Sequence, residues 1–269
     1  MKPRRFSGIA AVALMVAVPP IAQAADLTSW NGGQVYYPSA FTWTGSYIGL
    51  NVGGAWATGS RTTTLYDTGF PLLSTYYPNT LGTGASGWLG GGQAGSNWQS
   101  GAWVFGLETD IDWTSTNKTY LFASAPLTVY APGDIVNVNA TARLNWLATT
   151  RARIGFAATP DYRLMVYGTG GLAYGGGNGY LNVFDNVAGL YWHGAPAATR
   201  VGWAIGAGVE YAIANNITLR AEYLYYDLGT SNVVTVPNSA ANTVFPGVYA
   251  TAKYYYNGSI LRAGVNFKF

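Results

Sequence analysis

The chain has 269 residues, with 9% charged, 15% aromatic, 36 glycines and a formal net charge of +3. It holds no cysteine, which excludes disulfides, zinc–thiolate centres and cysteine nucleophiles. No apolar run reaches the roughly 18 residues that a transmembrane helix needs, so a membrane passage would have to be made by strands.

The chain opens on a processing signal. Lys2, Arg4 and Arg5 form a basic region, Ile9 to Val18 an apolar one, and Ala22-Gln23-Ala24 a small-x-small cleavage site. The reading is a signal peptide over residues 1–24; its apolar part is too short to span a bilayer as a helix. Without those three cations the remaining basic residues balance the 11 acidic ones. The positive balance therefore belongs to the leader, and no nucleic-acid partner is expected. Residues 25–43 carry Gly32-Gly33 and Pro38 and no sustained alternation, and are read as a periplasmic N-terminal extension.

From residue 44 the pattern has a period of two, the mark of strands with unlike faces. The first strand runs about Thr44 to Ala57, with Ile48, Leu50, Val52 and Trp56 opposite Gly49, Asn51 and Gly53. The second, Ser86 to Gln99, is rich in glycine; the third, Ala102 to Ser115, sets Phe105, Leu107 and Ile111 against Glu108, Asp110 and Asp112. The fourth, Thr141 to Ala157, sets Ala148, Ala152 and Ile154 against Arg143, Arg151 and Arg153. The fifth is Arg163 to Tyr174. The sixth, Arg200 to Ala212, sets Trp203, Ile205 and Val209 against Gly202, Gly206, Gly208 and Glu210. The seventh, Ile217 to Leu228, sets Leu219, Ala221 and Tyr223 against Arg220 and Glu222. The last alternates from Leu261 to Phe269 with Arg262 and Lys268 on its polar side. Short turns follow the second, fourth and sixth strands, and long segments (58–85, 116–140, 175–198 and 229–256) follow the others.

Short turns on one rim and long loops on the other imply an all-β fold: an eight-stranded antiparallel up-and-down transmembrane β-barrel over residues 44–269, with four long extracellular loops. Aromatic spacing agrees. Trp88 and Trp98, Trp103 and Trp113, and Trp146 and Phe156 stand about ten residues apart on single faces, a rise of roughly 25 Å for strands tilted by ~40°. That is the height of the lipid-facing band with an aromatic girdle at each edge, and no charge lies between the pairs on that face.

The opposite face carries Glu108, Asp110, Asp112, Glu210 and Glu222 together with Arg143, Arg151, Arg153, Arg220, Arg262 and Lys268. An eight-stranded barrel has an interior only wide enough for side chains. A salt-bridged plug is favoured over a narrow polar conduit, and inward glycines are expected to make room for the arginines. The only histidine, His193, stands among aromatics on the third loop and is read first as solvated or packing, with a haem binder or outer-membrane enzyme that uses His193 as a lesser alternative. No catalytic, cofactor-binding or metal-ligating residue is assigned. Gly87 to Gly95 and Gly168 to Gly179 lack the Lys-Ser/Thr and helix of a phosphate loop. Asp67, Asp134 and Asp185 are too sparse for a calcium cage. The loop tyrosines (Tyr66, Tyr76, Tyr77, Tyr120, Tyr130, Tyr249, Tyr254 and Tyr255) can either hold a surface ligand or pack the loops on one another.

Several stretches resemble a known family. Phe41 to Trp56 (FTWTGSYIGLNVGGAW) is similar to the first strand of the alphaproteobacterial outer-membrane immunogenic proteins, opacity-type surface antigens with an OmpA-like β-barrel of the porin family. Gly90 to Gln99, Arg151 to Ala157, Tyr167 to Gly175, Arg220 to Gly229 and the terminal RAGVNFKF resemble its later strands. The resemblance implies a Gram-negative outer-membrane location, outer-membrane lipid around the barrel, and recognition of Phe269 by the barrel-assembly machinery during biogenesis. It implies a structural or surface-interaction role, adhesin- or antigen-like and non-enzymatic, with a porin-like channel as the alternative.

Overall fold

The computed structural model describes residues 40–57, 60–66, 80–82, 85–126, 135–185, 189–195, 199–244 and 246–269. The signal peptide and most of the proposed extension lie outside these residues. The described part forms strands β1 (Gly45–Ala57), β2 (Ser60–Tyr66), β3 (Thr80–Gly82), β4 (Ala85–Ser100), β5 (Trp103–Thr114), β6 (Asn117–Pro126), β7 (Ile135–Arg143), β8 (Trp146–Ala157), β9 (Leu164–Gly176), β10 (Gly179–Asp185), β11 (Leu190–Gly194), β12 (Thr199–Ala212), β13 (Ile217–Val234), β14 (Val236–Pro237) and β15 (Tyr249–Lys268), with one short helix, α1 (Ser239–Val244).

Eight of these strands close a barrel in the order β1-β4-β5-β8-β9-β12-β13-β15, and β15 pairs back onto β1. Every pairing in it is antiparallel. Pairing partners followed once round from Tyr47, through Gly95, Glu108, Arg151, Gly171, Ala204, Tyr226 and Gly258, return to β1 at Ala57. That stagger of about ten residues for eight strands tilts the strands by roughly 40° and leaves a lumen that side chains fill.

The alternation sorts as the sequence predicts. Ile48, Leu50, Val52, Phe105, Leu107, Ile111, Ile154, Ile205, Leu219 and Val265 all face outward, Leu50 being 68% exposed. Such a skin is costly in water and matches hydrocarbon. The aromatic pairs close into two belts. Trp103 pairs with Phe156 at one edge, with ring centroids 5.4 Å apart, and Trp113 pairs with Trp146 at the other.

Inward glycines have a different cause from the one expected. A Cβ on Gly53 would lie 2.2 Å from the carbonyl oxygen of Leu261, one on Gly171 2.2 Å from that of Thr150, and one on Gly202 1.9 Å from that of Asp227. Room for arginine is secondary. In so narrow a barrel the neighbouring strand's backbone itself crowds the inner face. At the tight hairpin between β4 and β5, Gly101 adopts φ +59, a left-handed conformation that glycine takes without strain.

The described parts of the long loops carry more strand than their sequences suggest. β6, β7, β10, β11 and β14 form a second, five-stranded sheet, while β2 and β3 extend the edge of β15. β10 takes β7 from another loop on one side and β11 from its own on the other. Partners supplied by other loops leave no local signal in the sequence. This sheet has its own packing: Leu181, Val183, Leu190 and Trp192 are buried, and Trp192 Nε1 donates to the Val248 carbonyl (2.9 Å).

Arg143 is a correction. It ends β7 on an exposed position, and the barrel strand begins only at Trp146, so Arg143 belongs to the loop sheet and not to the lumen. Alternation alone ran the two strands together across Leu144-Asn145.

Candidate functional site

The lumen is filled in three layers. Nearest the short turns, Phe41 and Trp43 fold into the mouth and pack with Val104, Ala157, Met165 and Ala212. Trp43 is 1% exposed; its Nε1 donates to the Tyr162 carbonyl (2.7 Å), and its backbone N–H donates to Gln99 Oε1 (2.7 Å). Nearest the loops, Leu89, Leu147, Ala204, Leu224, Leu228 and Ile260 form an apolar layer.

The ionic residues lie between these two layers. Arg151 reaches Glu108 and Asp110 (2.7 Å each) and Glu222 (3.3 Å). Arg153 bridges Glu108 (3.2 Å) and Glu210 (2.7 Å). Arg220 pairs with Glu108 and with Glu222 (3.3 Å). Arg262 holds Asp110 (2.8 Å), Asp112 (2.6 Å) and Glu222 (2.7 Å). All nine side chains are buried. Each carboxylate meets at least one guanidinium, and each of the four guanidiniums meets two or three carboxylates, which offsets much of the cost of burying charge, although Asp110 Oδ1, Asp112 Oδ1, Arg153 Nε and Arg220 Nε have no hydrogen-bond partner among the described residues.

Neutral groups that the sequence reading did not single out complete the layer. Tyr47 donates to Glu108 (2.5 Å) and Tyr167 to Glu222 (2.9 Å). The Arg153 guanidinium stands 4.0 Å from the Tyr167 ring centroid. A relay of amides crosses the inner wall: Asn51 donates to Gln93 (2.9 Å), Gln93 to Asn266 (2.6 Å) and Asn266 to Glu210 (2.8 Å). Tyr47, Asn51 and Asn266 share their strand parity with recognised inward residues, whereas the second and fifth strands, which carry Gln93 and Tyr167, offered no inward charge to mark their parity.

Lys268 sits at the short-turn mouth, where its ammonium donates to the Thr42 carbonyl, away from the ionic layer. The layer thus sets five carboxylates against four arginines, where the sequence suggested six cations. His193 lies on the exposed face of β11, with its Nδ1 2.6 Å from Asn182 Oδ1 and its ring stacked on Tyr191. Asp67, Asp134, Tyr76, Tyr77 and Tyr130 lie outside the described residues, as do the side chains of Asp185, Tyr66 and Tyr120. Tyr254 is buried beneath the loops, its hydroxyl donating to the Tyr180 carbonyl (3.4 Å), so this loop tyrosine packs.

The family model and the relatives in sequence agree with this architecture. The family model described as outer membrane protein beta-barrel domain matches residues 8–269. The 31 kDa outer-membrane immunogenic protein of Brucella melitensis is 36% identical over 97% of this chain and 98% of its own length. The 22 kDa outer membrane protein of Rhizobium leguminosarum bv. viciae is 32% identical over 51% of this chain and 52% of its own. Among solved structures, Neisserial surface protein A aligns at 15% identity with a TM-score of 0.37, covering 84% of this chain and 98% of that one.

Proposed function

Since the chain belongs to the outer-membrane β-barrel protein family and resides in the Gram-negative outer membrane, we propose that it is a non-enzymatic surface-interaction protein whose barrel holds a loop sheet above the membrane. The observation that carries this reading is the filled lumen. A salt-bridged ionic layer is enclosed between an apolar layer and an aromatic cap, an arrangement suited to a rigid support and poorly suited to conduction. Outside it, the described loop residues form a sheet with its own buried side, the kind of platform that presents a contact surface.

A non-enzymatic role has separate support. Among the described residues, every inward carboxylate is held by arginine and enclosed in the lumen. A general base needs a free lone pair within reach of a substrate proton.

Two measurements test the proposal. Refolded protein in planar bilayers is expected to give no single-channel steps; reproducible steps would return the porin-like alternative. Cells carrying a variant with residues 179–194 replaced by a two-residue turn are expected to lose surface adherence while the barrel keeps its heat-modifiable gel mobility. Unchanged adherence would sink the surface-interaction role.

A further inference from the structure

Among the described residues, Arg200 is the one buried arginine of the barrel outside the ionic layer. It begins the inner face of β12 at the loop end, paired with Gly175, above the apolar layer that contains Leu147 and Leu228. The five inward carboxylates are all taken by Arg151, Arg153, Arg220 and Arg262, and none bridges to Arg200. The Arg200 side chain is nevertheless buried, at 8% exposure. Its guanidinium carbon stands 3.5 Å from the ring centroid of Tyr256, which packs on the apolar layer.

Among the described residues, its Nε and Nη2 atoms are buried and have no hydrogen-bond partner. These two nitrogens are the side-on edge of the guanidinium, whose parallel N–H bonds fit the two oxygens of a carboxylate. Leaving such an edge buried and unpaired is costly, and an oxyanion would remove the cost.

We infer that Arg200 and Tyr256 form a binding site for a small carboxylate carrying an apolar body, entered from the loop side. The carboxylate takes the Nε–Nη2 edge. The apolar body lies against the Tyr256 ring and the leucines below, which gives it an advantage over a bare inorganic anion. The site lies outside the ionic layer and does not depend on the surface-interaction role.

Isothermal titration of the refolded barrel in detergent with sodium butyrate tests it, with inorganic phosphate as the comparison. Saturable butyrate binding is expected, lost in Arg200→Gln and weakened about tenfold or more in Arg200→Lys, which keeps the charge and loses the fork. Gel mobility and circular dichroism identify correctly folded variants, and Arg200→Lys carries the test if Arg200→Gln does not fold. No saturable binding by the natural protein, or undiminished binding by a folded variant, overturns the site. Tighter binding of phosphate than of butyrate overturns the carboxylate assignment.

Discussion

Arg262 on β15 stands 2.8 Å from Asp110 on β5, two residues 152 positions apart in the chain. Among the described residues, the same guanidinium is the only one that reaches Asp112. Arg262→Ala would leave Asp112 buried without a countercharge and is expected to cost about 3–5 kcal/mol. The pair Arg262→Met with Asp112→Leu removes both charges and should recover part of that loss. Urea unfolding in lipid vesicles, followed by tryptophan fluorescence, measures both.

Gly170 and Gly171 are neighbours on β9 with opposite tolerances. A Cβ on Gly171 would lie 2.2 Å from the Thr150 carbonyl oxygen, whereas on Gly170 the nearest atom, the Ala204 carbonyl oxygen, is 3.7 Å away. Gly171→Ala is expected to destabilise by about 1–3 kcal/mol through overpacking. Gly170→Ala should be neutral or stabilising by up to ~1 kcal/mol. The same unfolding assay separates them, and equal losses would contradict the assigned faces.

Leu107 lies on the outer face between Trp103 and Trp113. A lysine there would meet hydrocarbon near mid-depth, at a cost of about 2–4 kcal/mol. Ile213, exposed at the short-turn rim, should accept lysine for about 1 kcal/mol or less. Vesicle unfolding of Leu107→Lys and Ile213→Lys checks the membrane position directly.

Trp43 seals the short-turn mouth. Trp43→Ala removes its packing against Met165 and its bond to Tyr162, an expected loss of about 3–5 kcal/mol. Conductance should stay absent, because the ionic and apolar layers above the cap remain. A variant that conducts would show that the cap alone closes the lumen.

The eight barrel strands and the side each residue faces were legible in the sequence because a single period of two runs through them. Leu107 and Ile154 point outward, and Glu108 and Arg151 inward, as alternation requires. The partners within the lumen were not legible. Arg262 meets Asp110 only because the stagger brings β15 and β5 to one level, and no local pattern encodes that. Arg143 was misplaced for the same reason: its strand ends where the pairing partner changes, and alternation continues across the break. The sheet above the rim escaped notice because its strands find their partners in different loops. Arg200 shared its parity with Gly202 and Glu210 and could have been found.

The closing strand imposes an order on assembly. β15 joins β13 to β1 and also delivers Arg262 to the interior. Before it arrives, a seven-stranded sheet would expose two raw edges and leave Asp112 without its guanidinium, and hydrocarbon tolerates neither. Sealing the seam and quenching that charge are therefore a single event. Insertion has no stable halfway stage in lipid, and the nascent sheet must stay sheltered until its final segment is in place.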